Sequence, residues 1–339
     1  MKRLLFGITL IALAAIALTQ RPMAAEKPAV ETIGTVERLD PEFDKLIAKD
    51  AVVEKLAGGF DWSEGPVWFP EGYLLFSDIP KNTIWKWTQV KGIELYLRPA
   101  GYTGKEPFTG KEPGSNGLAR DAKGNLVMCR HGDRQLVSID PKGKVTVLAD
   151  KYDGKRFNSP NDLTIAKDGT IFFTDPPYGL PKQMEDPAKE LDFQGVYRLG
   201  TDGKLTLLTK EMTRPNGVAL SPDEKTLYVA NSDPKMAIWK AFPLKADGTL
   251  GEGKVLFDTT EWVGKKPGLP DGLKVDAMGN LFATGPGGVL VLTPEGKHLG
   301  TLNTGVPTAN VGWGDDGSTL YITADKSLGK IRTLTHAPK

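Results

Sequence analysis

Short apolar runs broken by Gly, Pro, Asp and Asn recur along the chain, and none extends into a sustained helical period. Their arrangement repeats six times. In each unit an oxygen-bearing residue opens an apolar run, a turn follows, and a second apolar run returns. The leading residues are Glu64, Asn116, Asn161, Asn216, Asp271 and Asn310, at spacings of 52, 45, 55, 55 and 39. The turns fall at Glu71-Gly72, Lys123-Gly124, Asp168-Gly169, Pro222-Asp223-Glu224, Met278-Gly279 and Asp316-Gly317. Returning runs begin at Tyr73, Asn125, Thr170, Thr226, Asn280 and Thr319, and further strand-like pieces lie at Gln135–Ile139, Gly195–Leu199 and Val289–Leu292. Each interval holds about four short strands. Strand repeats of this length predict an all-β fold, a six-bladed β-propeller. The Gly-His and Trp-Asp marks of the commonest such repeat are absent, so the blade count rests on the pattern itself. Ala51–Leu56 reads as a strand ahead of the first unit. It is expected to close the ring by joining the last blade, which protects two edges. Pro41–Lys49 reads as a short helix leading into it, and no linker divides residues 26–339.

Residues 1–25 follow a different pattern. Lys2 and Arg3 precede an apolar run from Leu4 to Leu18, and the small pair Ala24-Ala25 follows. This is the layout of a secretory signal peptide, and the run is shorter than the roughly 20 residues a spanning helix needs. The expected location is periplasmic or secreted. Met23 makes the cleavage site imperfect, so an uncleaved anchor is the alternative. The expected mature domain, residues 26–339, has no membrane segment.

Composition narrows the chemistry. Lys+Arg 43 against Asp+Glu 42 gives a net charge of +1, which excludes a strongly basic nucleic-acid binder. Gly 39 and Pro 25 fit a chain of many turns. Cys129 stands alone, so no internal disulfide and no cysteine-built metal site can form. His131, His298 and His336 lack metal-ligand spacing. Any metal must be held by oxygen.

A propeller sets equivalent positions around one axis, so the six leading residues form a ring of oxygens at one mouth of the channel. A single Asn-Gly or Asp-Gly is usually a turn. Six oxygen-bearing residues in register point instead to a central divalent-metal site. Calcium takes 6–8 oxygen ligands. Glu64 and Asp271 bring two negative charges, and the asparagines add neutral oxygens; magnesium and manganese fit the same residue types. The returning strands end in Asp78, His131, Asp175, Asn231 and Thr284 at the same mouth. Asp78 and Asp175 are either substrate contacts or strand-ending turn residues, and His131 is either a substrate contact or a hydrogen-bonded structural histidine. The long segments Gly101–Gly114 and Pro176–Gln194 are candidate walls, with Tyr102, Phe108 and Tyr178 as apolar surface. Trp62, Trp68, Trp85 and Trp87 are expected to fill space between blades.

Several motifs in order resemble the SMP-30/gluconolactonase/LRE-like family, in its bacterial gluconolactonase branch. They are Leu39–Asp44, Ser63-Glu-Gly-Pro-Val-Trp68, Pro113-Gly-Ser-Asn-Gly-Leu118, Asn158-Ser-Pro-Asn-Asp-Leu163, Phe173–Gly179, Arg214-Pro-Asn-Gly217 and Pro270-Asp-Gly-Leu273. The resemblance implies a six-bladed propeller with a central divalent cation, usually calcium; other divalent cations such as Mg2+, Mn2+ or Zn2+ stay open. It implies metal ligands at Glu64, Asn161, Asn216 and Asp271, with Asp271 also exchanging protons. Arg156 lies near a family arginine position but is offset. The implied reaction is lactone hydrolysis, in which the metal polarises the carbonyl and Asp271 assists water attack or itself attacks. Asn116 and Asn161 would orient the small-molecule lactone, with His131, Asp175 and Tyr178 as further substrate contacts. No Gly-x-Ser-x-Gly elbow supports serine catalysis. The alternatives are an organophosphate or other ester hydrolase on the same site, or a non-catalytic calcium-dependent sugar-binding propeller.

Overall fold

The computed structural model describes residues Val30–Pro338. The export signal read at residues 1–25 lies outside the described residues. Six antiparallel sheets of four or five strands follow one another along the chain, one for each sequence unit, with a two-stranded hairpin, Lys151–Tyr152 with Lys155–Arg156, between the second and third. Their innermost strands are Ser63–Phe69, Ser115–Arg120, Leu163–Ile165, Pro215–Leu220, Leu273–Val275 and Thr308–Gly314. The returning strands are Tyr73–Asp78, Leu126–Arg130, Ile171–Asp175, Thr226–Asp233, Leu281–Gly285 and Thr319–Ala324. Two outer strands complete each of the first four blades. The chain is an all-β six-bladed propeller, as the repeat predicts.

The turns between the first two strands of the second and fifth blades share one local device. Asp121 Oδ1 accepts from the Lys123 and Asn125 amides at 2.9 and 2.8 Å. Asp276 does the same for Met278 and Asn280 at 2.9 and 2.8 Å. The side chain satisfies amides that the tight turn leaves unpaired. The glycine between them, Gly124 or Gly279, takes the positive φ that the reversal requires.

Two segments ahead of the first blade lock the ring. Glu54–Gly58 pairs antiparallel with Ser327–Arg332 and becomes the outer strand of the sixth blade. The ring-closing strand therefore exists, shifted by about one turn of pleat from the expected Ala51–Leu56. Thr35–Arg38 pairs with His298–Asn303 as a fifth strand of the fifth blade. That strand was not expected. Between the two lies a short 3-10 helix, Pro41–Lys45, ending before the expected Lys49. Asp40 caps it by accepting from the Glu42 amide at 2.9 Å, and Phe43 is buried in the core beneath. No helix among the described residues is long and apolar enough to cross a membrane.

The core is distributed between neighbouring blades. Trp68 stacks on Tyr321 of the sixth blade with centroids 5.6 Å apart, and Trp87 meets the same ring at 5.7 Å. These two tryptophans fill the first–sixth interface as expected. Trp239 plays that part between the fourth and fifth blades, beside Leu273, Leu281 and Leu290.

Around the axis neighbouring blades join by direct hydrogen bonds at the ends of their first and second strands. Ser77 Oγ donates to the Asn116 carbonyl at 2.8 Å, the Gly117 amide to Asn161 O at 2.7 Å, and Thr174 Oγ1 to Asn216 O at 2.6 Å. Ser232 Oγ donates to Pro270 O, the Gly272 amide to Ala309 O at 2.8 Å, and Ser63 Oγ to Asp325 O at 2.9 Å. The circle is closed through all six blades. Such close approach explains three of the four glycines after the leading residues better than turn conformation does. Gly117, Gly217 and Gly272 do not have positive φ, whereas Gly65 does, at +52°. A Cβ at Gly217 would lie 2.2 Å from Asp271 O, a backbone atom that cannot swing aside. Gly217→Ala is therefore expected to destabilise the fold by about 2 kcal/mol, within the usual range for overpacking. Chemical denaturation of the purified variant measures this, and an unchanged midpoint would refute the close-approach account.

Candidate functional site

The leading residues sit where the innermost strands begin, and their approach loops are held by the ends of the returning strands. Asp78 accepts from the Asp61 and Trp62 amides at 3.1 and 3.2 Å. Asp175 accepts from the Asn158 and Ser159 amides at 2.8 and 2.7 Å. Asn231 Oδ1 accepts from the Arg214 amide at 2.7 Å. In each case the bonded amides lie two or three positions before Glu64, Asn161 or Asn216. These strand-ending residues therefore fix the backbone that aims the leading side chains. Asp175, expected as a substrate contact, is fully buried, and both of its oxygens face backbone amides rather than a cavity. Burial pushes its carboxyl up to about 7 against those two donors.

A cavity of about 370 Å³ opens at the mouth where the leading residues gather. Glu64, Asn161, Asn216 and Asp271 all line it, together with Asn116 and Tyr178. The remaining wall includes Trp62, Ile79, Glu112, Ser232 and Leu269. A wider groove of about 630 Å³ lies between the second and third blades, but none of the leading residues reaches it. Within the smaller cavity Asn116 Oδ1, Asn161 Oδ1 and Asp271 Oδ1 are buried and accept no hydrogen bond. Native proteins seldom leave such atoms unpaired, because each costs about 1–3 kcal/mol. Asn216 donates its amide to Ser232 Oγ at 2.9 Å, so its donor side is already engaged. Two carboxylates and neutral amide oxygens facing one space suit a hard divalent cation. Among the described residues no three His, Cys, Asp or Glu side chains form a chelating group, so amide oxygens are needed to complete such a set.

The electrostatics agree with that fit. Burial, followed by the charge of Asp162, raises the Glu64 carboxyl far above the ordinary carboxylate range. Burial and then the Glu64 charge raise Asp271 in the same direction. Carboxylates crowded at low dielectric repel each other, and a cation between them relieves that repulsion. Glu64 Oε2 accepts from the Gly65 amide at 2.8 Å and from Asn310 Nδ2 at 3.1 Å. Asn310 departs from the expected ring of oxygens: its Oδ1 accepts from the Val311 amide at 2.9 Å, and its nitrogen serves Glu64. Asp162, which takes a more distant 3.4 Å bond from Asn310, is buried beside it. The sequence hint for Asp162 is that the third unit carries Asp where four others carry Gly.

The two long loops meet above the mouth. A Cβ at Gly110 would lie 3.2 Å from Pro181 Cα, and one at Gly179 would lie 2.6 Å from His131 Cβ. Tyr178 stands in the cavity wall, and burial raises its hydroxyl above the usual tyrosine value. Tyr102 and Phe108 instead pack against one another, their rings tilted by 53° with centroids 5.1 Å apart, and stay outside the cavity. His131 is fully buried behind the wall, with Nε2 3.3 Å from Asn161 Nδ2 and Nδ1 3.0 Å from Glu112 Oε2. It reaches the cavity through these neighbours and does not line it. Arg156 also stays away, donating to the Asp133 carbonyl at 2.9 Å. Trp62, expected to fill space between blades, stands in the cavity wall instead, two positions before Glu64 on the approach loop. Glu112 is the wall residue that sequence reading missed, in a long loop where no register marks it out.

Comparisons with known proteins converge on this architecture. A gluconolactonase of Zymomonas mobilis is 41% identical over 314 residues, covering 90% of this chain and 87% of its own. The solved structure of a gluconolactonase from Xanthomonas campestris superposes with a TM-score of 0.77 at 32% identity, covering 92% of this chain and 99% of that one. Regucalcin from Agrobacterium tumefaciens, described as a calcium-binding protein, shares the fold with a TM-score of 0.62 at 18% identity, covering 84% and 98%. Residues 62–326, which contain every leading residue, match the family described as the SMP-30/Gluconolactonase/LRE-like region, and the chain belongs to that family.

Proposed function

We propose that the protein is a divalent-cation-dependent lactonase that opens sugar lactones of the glucono type. The observation that carries this reading is the convergence of Asn116 Oδ1, Asn161 Oδ1 and Asp271 Oδ1, all buried without partners, on one cavity that Glu64 and Asn216 also line. The relationship to gluconolactonases over nearly the whole chain supports the substrate class. Glu64, Asn161, Asn216 and Asp271 are the residues that would hold the cation, and calcium is the first candidate for it. A bound cation supplies Lewis-acid polarisation of the lactone carbonyl.

The chain's own groups supply the rest. Asp271 takes a proton from water as the water oxygen bonds to the carbonyl carbon. When the bond from carbonyl carbon to ring oxygen breaks, Asp271 returns that proton to the departing oxygen. The product is an open hydroxy acid, which loses its acid proton to solvent. Asn116 orients the ring through its unpaired oxygen, and Trp62, Ile79 and Leu269 offer apolar surface to the ring carbons. The export expected from residues 1–25 would place this reaction in the periplasm or outside the cell.

Acid release from glucono-1,5-lactone by the purified protein tests the reading directly. Rapid release with calcium, reduced to the spontaneous rate by a chelator and restored by added calcium, is the expected result. No release above the spontaneous rate on a panel of aldonolactones, with cation bound, would overturn it.

A further inference from the structure

Glu112 is a charged side chain in a wall that is otherwise apolar or already assigned, and the reaction above gives it no task. It stands four residues before Asn116, on the Gly101–Gly114 loop, and lines the cavity with its side chain about one-third exposed. Among the described residues its one polar neighbour within reach is His131, whose Nδ1 lies 3.0 Å from Glu112 Oε2.

His131 stands between the two side chains. Asn161 leaves its oxygen unpaired and turns its Nδ2 toward His131 Nε2, at 3.3 Å. On its other side the fully buried ring lies against the Glu112 carboxylate, in close contact though without a hydrogen bond to it. Such a support fixes a functional side chain more firmly than a free surface loop would.

We infer that Glu112 reads the hydroxyl groups of the lactone ring, so that the site favours polyhydroxylated lactones over unsubstituted ones, with His131 as its positioning residue. The inference rests on the lactonase reading above. An ionised carboxylate only accepts hydrogen bonds, and two adjacent hydroxyls can donate to its two oxygens. Trp62, Ile79 and Leu269 cannot make that distinction, since they offer no acceptor side chain. A site built to pair with hydroxyls rejects the analogue lacking them more strongly than an apolar wall can.

The test compares kcat/KM on glucono-1,5-lactone and on δ-valerolactone, using the whole purified protein and saturating calcium. In Glu112→Gln, and again in Glu112→Ala, the ratio of the two values is expected to fall by about 10- to 100-fold. His131→Asn should raise KM for glucono-1,5-lactone with a smaller change in kcat. The double variant Glu112→Gln/His131→Asn should fall no further than Glu112→Gln alone, because the two act as one unit. A ratio that moves less than about threefold in both Glu112 variants would overturn the inference. So would a loss of calcium affinity in Glu112→Gln as large as that in Glu64→Gln, which would make Glu112 a cation ligand. If the unaltered protein opens neither lactone, the lactonase reading itself falls. If it opens both and the ratio does not move, only the role of Glu112 does.

Discussion

Asp271→Asn is expected to lower kcat on glucono-1,5-lactone by about 1,000-fold at saturating calcium, while the protein still binds the cation. The amide keeps an oxygen of similar shape in the cradle but cannot take a proton from water. Loss of a general base removes about 100- to 10,000-fold; of the two other carboxylates in the described wall, Glu64 already accepts two hydrogen bonds and Glu112 is assigned to the ring hydroxyls. The backbone there is well anchored: the Asp271 amide donates to Thr284 O at 3.0 Å, and the adjoining Gly272 amide to Ala309 O at 2.8 Å. The substitution should therefore leave thermal unfolding nearly unchanged. Steady-state kinetics beside calcium calorimetry separate the two roles. Full activity in the variant would remove Asp271 from the proton path.

The second large effect concerns the charge of the cradle. Glu64→Gln is expected to weaken calcium binding by at least about 100-fold, because it removes one of the two carboxylates assigned to hold the cation. Activity should return in part when calcium is raised to match. The pH dependence has a definite sign. Without the cation, burial and Asp162 hold the Glu64 carboxyl well above its usual value, so the proton competes with the metal. Calcium affinity should rise as pH goes from 6 to 8 and binding should release protons, and Glu64→Gln should flatten that dependence. Calorimetry in buffers of different ionisation enthalpy reads the proton release. An affinity independent of pH, with Glu64→Gln equal to the unaltered protein, would take Glu64 out of the cradle.

The propeller and the mouth residues were legible because they repeat. Six leading residues in register state the same geometric fact six times, and Glu64, Asn116, Asn161, Asn216 and Asp271 do reach one cavity. What stayed hidden has no repeat to expose it. Thr35–Arg38 is four residues of mixed polarity whose partner, His298–Asn303, lies far along the chain, so nothing local marks it as a strand. Glu112 comes from a loop unique to one blade, and Trp62 stands where the other approach loops carry smaller or charged residues. Asp78, Asp175 and Asn231 were visible as strand ends, but a side chain there can turn to the cavity or to the neighbouring backbone. The amides of the approach loop decide for the backbone, since a buried N–H without a partner is costly. Asn310 shows the limit of reading by register alone. It has the right residue type at the right position, yet its oxygen serves Val311 and its nitrogen supports Glu64.

The central claim is that one cation held by these oxygens is required for lactone opening. It is tested most directly by titrating calcium into the metal-stripped protein while following binding and glucono-1,5-lactone hydrolysis in the same samples. The account predicts one tight site, no activity before calcium is added, and half-maximal activity at half-saturation of that site. Full hydrolysis by the metal-stripped protein, or activity that rises apart from occupancy of the site, would contradict it.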